Sequence, residues 1–138
     1  MPEITRSAMD TGTRLTFSKK ERLCSTKLIS EIFERGSVFN TSLFRIVWLQ
    51  TSGLESPAQV AFAVPKKNIR LAVTRNLIRR RIREAYRLHK QSLYICLGER
   101  GIQIAFLIIY RQKSVPDYAT VEKAVNEIIA KLAERIRR

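Results

Sequence analysis

The sequence predicts an α+β fold, a central sheet with helices packed against it, and three observations carry that prediction. Stretches of helical and strand periodicity follow one another as helix, strands, helix, strand, helix, without an internal repeat, which suits a sandwich better than a doubly wound sheet. Residues 102–110, Ile-Gln-Ile-Ala-Phe-Leu-Ile-Ile-Tyr, are apolar on nearly both faces, as a central strand requires. With 138 residues, 45% of them hydrophobic, the chain has room for one modest core and a tail.

Residues 1–16 mix Pro2, Gly12 and several Ser and Thr without periodicity, which makes them a flexible N-terminal arm and leaves residues 17–138 as a single domain. Ser18 followed by Glu21 fits a capping box, and Leu28, Ile29, Ile32 and Phe33 recur at helical spacing until Gly36, a residue suited to end a helix. Over residues 39–49 the pattern alternates, with Phe44, Ile46 and Trp48 on one side and Arg45 and Val47 on the other. Trp48 is assigned to the core. Ser52, Gly53 and Pro57 mark a turn into a second strand, whose Val60, Phe62 and Val64 form a bulky face and whose Ala61 and Ala63 form a face open to close approach, until Pro65. Residues 72–91 form the next helix and residues 102–110 the next strand. After Pro116, with Asp117 or Thr120 as cap, Val121, Val125, Ile128, Leu132 and Ile136 make the stripe of a closing helix with a basic end.

Lysine and arginine number 26 against 12 acidic residues, a net charge of +14, and such an excess repels itself unless an anion compensates it. Nucleic acid is the obvious polyanion, and a membrane surface is the other. No stretch reaches about 18 uninterrupted apolar residues, and residues 1–16 lack the apolar run of a signal peptide, so a soluble, cytoplasmic protein with no membrane partner is expected. Cys24 and Cys96 are far apart, with no CxxC pairing, and His89 is the single histidine, too few ligands for zinc. His89 falls at the apolar spacing of its helix, where a satisfied structural histidine is a better account than a general base. No catalytic and no metal-ligating residue is expected, and any chemistry must come from elsewhere.

The most informative segment is residues 71–90, LAVTRNLIRRRIREAYRLHK, in which Glu84 is the single acid. At about 100° per residue, Ile78, Ile82, Ala85 and His89 point one way while Arg75, Asn76, Arg79, Arg83, Arg87 and Lys90 cluster opposite them. An ordinary solvated helix intersperses signs, whereas Arg75, Arg79, Arg83 and Arg87 stand at successive i+4 positions with no acid among them. Arginine forks match phosphate oxygens two at a time, so the stripe points to a phosphate backbone. Arg81 lies nearer the core edge, where its stem can cover apolar surface. Lys66, Lys67 and Arg70 precede the helix and extend the stripe into one electropositive track that binds backbone rather than sequence.

On these residues the chain resembles the bacterial ribonuclease P protein family. The run Lys66-Lys67, Ala72-Val73, Arg75-Asn76, Arg79-Arg80, Arg83-Glu84 and Tyr86-Arg87 is similar to its signature helix, and Arg22-Leu23, Phe33, Gly36 and the order of elements extend the likeness over about residues 17–138. Two departures stand out: the third position of the family's Arg-Asn-Arg triplet is Leu77, and the loop after Lys67 is a residue longer and lacks the usual glycine. Ile29 also stands where members often carry a second aromatic, leaving Phe33 as the stacking residue of the first helix.

The resemblance implies an αβββαβα sandwich with a mostly antiparallel sheet and a left-handed βαβ crossover, against the usual hand of such connections. It also implies an accessory protein of ribonuclease P, whose partners are the catalytic RNA and precursor tRNA, with no obligate protein partner. The RNA, using Mg²⁺, would hydrolyse one phosphodiester and leave a 5′ phosphate on mature tRNA. Lys66, Lys67, Arg70, Arg75, Asn76, Arg79, Arg80, Arg83 and Arg87 would hold the catalytic RNA. A cleft at Phe33, Phe44, Ala61 and Ala63 would take the 5′ leader, as single-strand binders do without reading sequence. Without the likeness, the charge and helix fit a ribosomal or other structural RNA-binding protein equally well, and a DNA-binding module ranks after it. A stand-alone protein nuclease is disfavoured because no carboxylate cluster accompanies the basic track.

Overall fold

The computed structural model describes residues 16–137. The flexible arm expected over residues 1–16 therefore lies, but for Thr16, outside the described residues. A short 3-10 turn, Lys19–Glu21, precedes α1 (Thr26–Arg35), β1 (Ser37–Asn40), β2 (Phe44–Thr51), β3 (Ala58–Ala63), α2 (Ala72–His89), α3 (Gln91–Arg100), β4 (Gln103–Tyr110) and α4 (Tyr118–Arg137). The strands form one sheet in the order β1-β2-β4-β3, antiparallel except for the parallel β3–β4 pair, which α2 and α3 connect. The fold is α+β with a mostly antiparallel sheet, and it carries one helix more than expected.

Three boundaries differ from the expected ones. The Ser18 N–H donates to Glu21 Oε2 at 2.6 Å, but this box closes only the 3-10 turn. Arg22 then bridges Val60, and Leu23 N–H donates to the Val60 carbonyl at 3.0 Å before α1 starts afresh under a Ser25 cap that accepts from Leu28 N–H at 3.1 Å. The single strand expected over residues 39–49 is a hairpin. Thr41 closes it, its N–H donating to the Phe44 carbonyl at 2.8 Å and its Oγ1 accepting from Phe44 N–H at 3.1 Å. The helix of residues 72–91 likewise breaks at Lys90, and α3 follows with Leu93, Cys96 and Leu97 buried at i, i+3 and i+4.

Gly36 does end α1, but not through a left-handed conformation, since its φ is −74°. It is there for space: a Cβ at this position would collide with the carbonyl oxygens of Ile32 and Trp48. Glycine lets the helix end lie directly on β2.

The sheet has two unequal faces. Phe44, Ile46, Val60, Ile104, Phe106 and Ile108 point to the larger core beneath α2, α3 and α4, and Trp48 packs half-buried at its margin. On the other face α1 and the segment before it contribute cover, with Ile32 and Leu23 packed against Val47, Ala105 and Leu107. The register lines residues of this second face into rows, Val47-Leu107-Ala61 and then Arg45-Ile109-Ala63. The first row includes residues of the small core. The second leaves Arg45 exposed and Ile109 and Ala63 half-exposed, and becomes a shelf.

Candidate nucleic-acid interface

Helix α2 is two-faced, with Ile78, Ile82, Ala85 and Tyr86 buried and the arginine stripe outside. Asn76 and Arg80 are exposed, and Arg75, Arg79, Arg83 and Arg87 are half-exposed. The guanidinium groups engage one another's surroundings rather than a common acid. Arg75 Nη1 donates to the carbonyls of Ile69 at 3.0 Å and Arg70 at 2.7 Å, Arg79 donates to Asn76 Oδ1, and Arg87 forms a two-pronged pair with Glu84 at 2.7 and 3.0 Å. The hydrogen bonds from Arg87 hold the Glu84 carboxyl below its ordinary range. Leu77 lines an open trough of about 660 Å³ with Arg80, Arg81 and Arg83, and Arg81 donates to the Pro116 carbonyl, which moors its stem at the α4 side.

The loop before α2 is anchored by buried Ile69, whose N–H, like that of Asn68, donates to the Pro65 carbonyl at 3.1 and 3.0 Å respectively. Lys66, Lys67 and Arg70 project from it, exposed, and with Leu71 they line a basin of about 740 Å³. The Arg75 bonds to the loop carbonyls join basin and stripe. Loop and helix thus present a connected cationic surface, with Arg75 acting partly as its brace.

On the opposite side of the sheet, Phe33 projects from α1 with 61% of its surface exposed. It overhangs a concavity of about 430 Å³, whose other walls include Arg45, Lys67, Ile109 and Arg111. Though neither is among the walls of this concavity, and Ala61 packs against the small core, Ala61 and Ala63 lie on this face of the sheet, half-buried. Phe44 does not. It is fully buried on the other face, with its ring 5.8 Å from that of Tyr110, because it alternates with Arg45 and shares its side with Ile46. Arg45, Ile109 and Arg111 are the residues that sequence reasoning missed. An arginine between Phe44 and Ile46 was the available signal, but the register that sets it beside Ile109 has no local signature.

One further position departs from expectation. Lys90, grouped with the arginine stripe by its spacing, is only 3% exposed and pairs with buried Glu21. His89 faces α4, with Nε2 2.8 Å from Glu122 Oε2, a tertiary pairing at the helix seam. Cys24 and Cys96 are free thiols. Among the described residues no group of three or more His, Cys, Asp or Glu side chains could hold a metal, and no helix is long and apolar enough to cross a membrane.

A helix armed with arginines on one flank of the sheet and a cationic cleft with an exposed aromatic on the other define a small basic α+β protein of the kind whose charge suits a polyanion. The particular family is that of the ribonuclease P proteins, and the chain belongs to it: the Ribonuclease P family model matches residues 17–133. The chain is 35% identical over 122 residues to the ribonuclease P protein component of Porphyromonas gingivalis, covering 86% of this chain and 88% of that one. It is also 35% identical over 122 residues to that of Chlorobium phaeobacteroides, covering 80% and 84%. The fold is similar to the solved RNase P protein of Staphylococcus aureus, with a TM-score of 0.65 at 21% identity over 82% of this chain and 94% of that one. For the RNase P protein of Thermotoga maritima the TM-score is 0.61 at 19% identity over 80% and 96%. The family is the protein component of a ribonucleoprotein endoribonuclease that processes tRNA 5′ ends, in which the RNA carries the catalysis.

Proposed function

We propose that residues 17–138 act as one RNA-binding domain that engages two RNAs at once, the catalytic RNA of ribonuclease P and the 5′ leader of precursor tRNA. The observation that carries this is the outward placement of the α2 arginines, opposite a face that is fully packed. Lys66, Lys67, Arg70, Asn76, Arg79, Arg80, Arg83 and Arg87 would take phosphates of the catalytic RNA, with Arg75 both contacting and bracing the loop. Neutralising those phosphates lowers the self-repulsion of the folded RNA and so the Mg²⁺ it needs. The metal is assigned mainly to the RNA, the component that carries the catalysis.

The leader fits the Phe33 cleft. Phe33 stacks a base, the Arg45-Ile109-Ala63 row gives that base a flat floor, and Arg45, Lys67 and Arg111 sit where its flanking phosphates would run. Such a site tolerates any sequence, since every base has a π-face. The work is done in the cytoplasm, on precursor tRNA.

The test is reconstitution. Purified protein added to ribonuclease P RNA should restore 5′ cleavage of precursor tRNA at Mg²⁺ levels where the RNA alone is slow. No stimulation would make the chain a structural RNA binder, and cleavage by the protein alone would make it a nuclease.

A further inference from the structure

The start of α2 carries three consecutive exposed apolar residues, Leu71, Ala72 and Val73, with Leu71 67% and Val73 74% exposed. Single exposed apolar side chains are ordinary on a protein surface. A run of them inside the most basic part of the molecule is not. Leu71 shares its basin with Lys66, Lys67 and Arg70, while Asn76 and Arg79 follow on the next turn of the helix. Leu71 is also the N-cap and makes no side-chain capping bond, although Ser, Thr, Asp or Asn is the stabilising choice there.

The cations call for phosphate, but phosphate does not account for the apolar step between them. A partner that meets both must offer anionic groups and an apolar surface within one side chain's reach. Paired RNA does not, because its base faces are stacked away and its accessible shallow groove shows 2′-hydroxyls and base edges, both polar, beside the phosphates. An unpaired nucleotide does, since its base turns a π-face outward while the phosphates on either side remain available. A second copy of this chain would instead bring like charges together.

We propose that Leu71, Ala72 and Val73 form a base-docking step, on which an unpaired base of the catalytic RNA rests while Lys66, Lys67 and Arg70 hold its flanking phosphates. The start of α2 thereby selects a non-helical segment of that RNA by shape. The inference rests on the proposed partner of α2 and deepens it by naming the kind of RNA structure that docks.

The test compares the full-length wild type with a Leu71→Ser/Val73→Ser variant, measuring affinity across a salt series for ribonuclease P RNA and for a fully paired RNA duplex. Both side chains are exposed and serine caps a helix better than leucine, so the thermal melt should be unchanged or raised, never lowered. The variant should bind ribonuclease P RNA about tenfold more weakly, bind the duplex as before, and keep the wild-type salt slope, because no phosphate contact is lost. A Leu71→Met/Val73→Ile variant should retain full affinity. Equal loss on both RNAs, no loss on either, or a slope reduced by a contact's worth would overturn the base-docking step. Wild-type protein without salt-sensitive affinity for ribonuclease P RNA would instead sink the proposed partner itself, and the step with it.

Discussion

Lys90, at the bend between α2 and α3, forms a buried ion pair with Glu21, 69 residues earlier in the chain. Glu21 is 5% exposed, its Oε1 also accepts from the Tyr94 hydroxyl at 2.6 Å, and Lys90 donates a second bond to the Thr16 carbonyl. The pair pins the segment before α1 to the far end of the arginine-bearing helix α2. Removing one partner leaves a buried charge uncompensated, so Lys90→Met should destabilise the fold by about 3–5 kcal/mol, measured by urea unfolding. Glu21→Leu combined with Lys90→Met should recover much of that loss. A single-variant cost below about 1 kcal/mol would mean that the pair is solvated.

The same site sets an acid limit. Burial raises the Glu21 carboxyl, but the bonds from Lys90, the Ser18 N–H and Tyr94 outweigh it and hold the folded carboxyl below its ordinary value of 4.5. The depressed value means that the unfolded chain takes up the proton first. This contribution to stability is therefore complete above pH 4.5 and is lost as pH falls below it, through the folded value. Glu21→Gln should flatten the wild-type fall in urea midpoint on acidification, and parallel curves for the two proteins would contradict the assignment.

The arginine stripe predicts a change in salt response. Arg79 and Arg83 lie on the outward face, and it is Arg75 that braces the loop through the Ile69 and Arg70 carbonyls. Replacing both by alanine should reduce the log-log salt slope for ribonuclease P RNA by about 1.4–1.8, two phosphates' worth, without lowering the melting temperature. Arg75→Ala should show both effects, weaker binding and a looser loop over residues 65–70, visible as faster amide exchange at Ile69. An unchanged slope in the Arg79/Arg83 variant would mean that the stripe faces water in the complex.

Local periodicity made the two-faced α2 and the central β4 legible, because a helix wheel and an apolar run depend on neighbours within a few turns. What escaped depended on contacts distant in sequence or on a single side chain. The hairpin at Thr41 has no Gly or Pro at its tip and is closed by a threonine hydroxyl, so Phe39 and Phe44 looked like members of one strand. Helix α3 follows α2 without a breaker, and the bend falls at Lys90, whose partner Glu21 no spacing rule could supply. For the same reason Lys90 looked like one more arginine-stripe cation. The alternation of Phe44 with Arg45 was readable, but which of the two faced the cleft was decided by β4, through the Arg45-Ile109-Ala63 row.

Phe33 and Phe44 should therefore separate under mutation. Phe33 is largely exposed and its ring overhangs the cleft, so Phe33→Ala removes a stacking surface and little of the core. Its cost should appear in binding, as a loss of about 1–3 kcal/mol in affinity for single-stranded leader RNA, with Phe33→Tyr retaining most of it. Phe44 packs fully buried against Tyr110, so Phe44→Ala leaves a cavity and should cost about 3–5 kcal/mol of folding stability. At temperatures where the Phe44 variant is still folded, its leader affinity should match the wild type. Fluorescence titration of a labelled leader, paired with urea unfolding of each variant, reads both quantities. If Phe33→Ala bound the leader normally while Phe44→Ala did not, the leader would run over some surface other than the shelf of Arg45, Ile109 and Ala63.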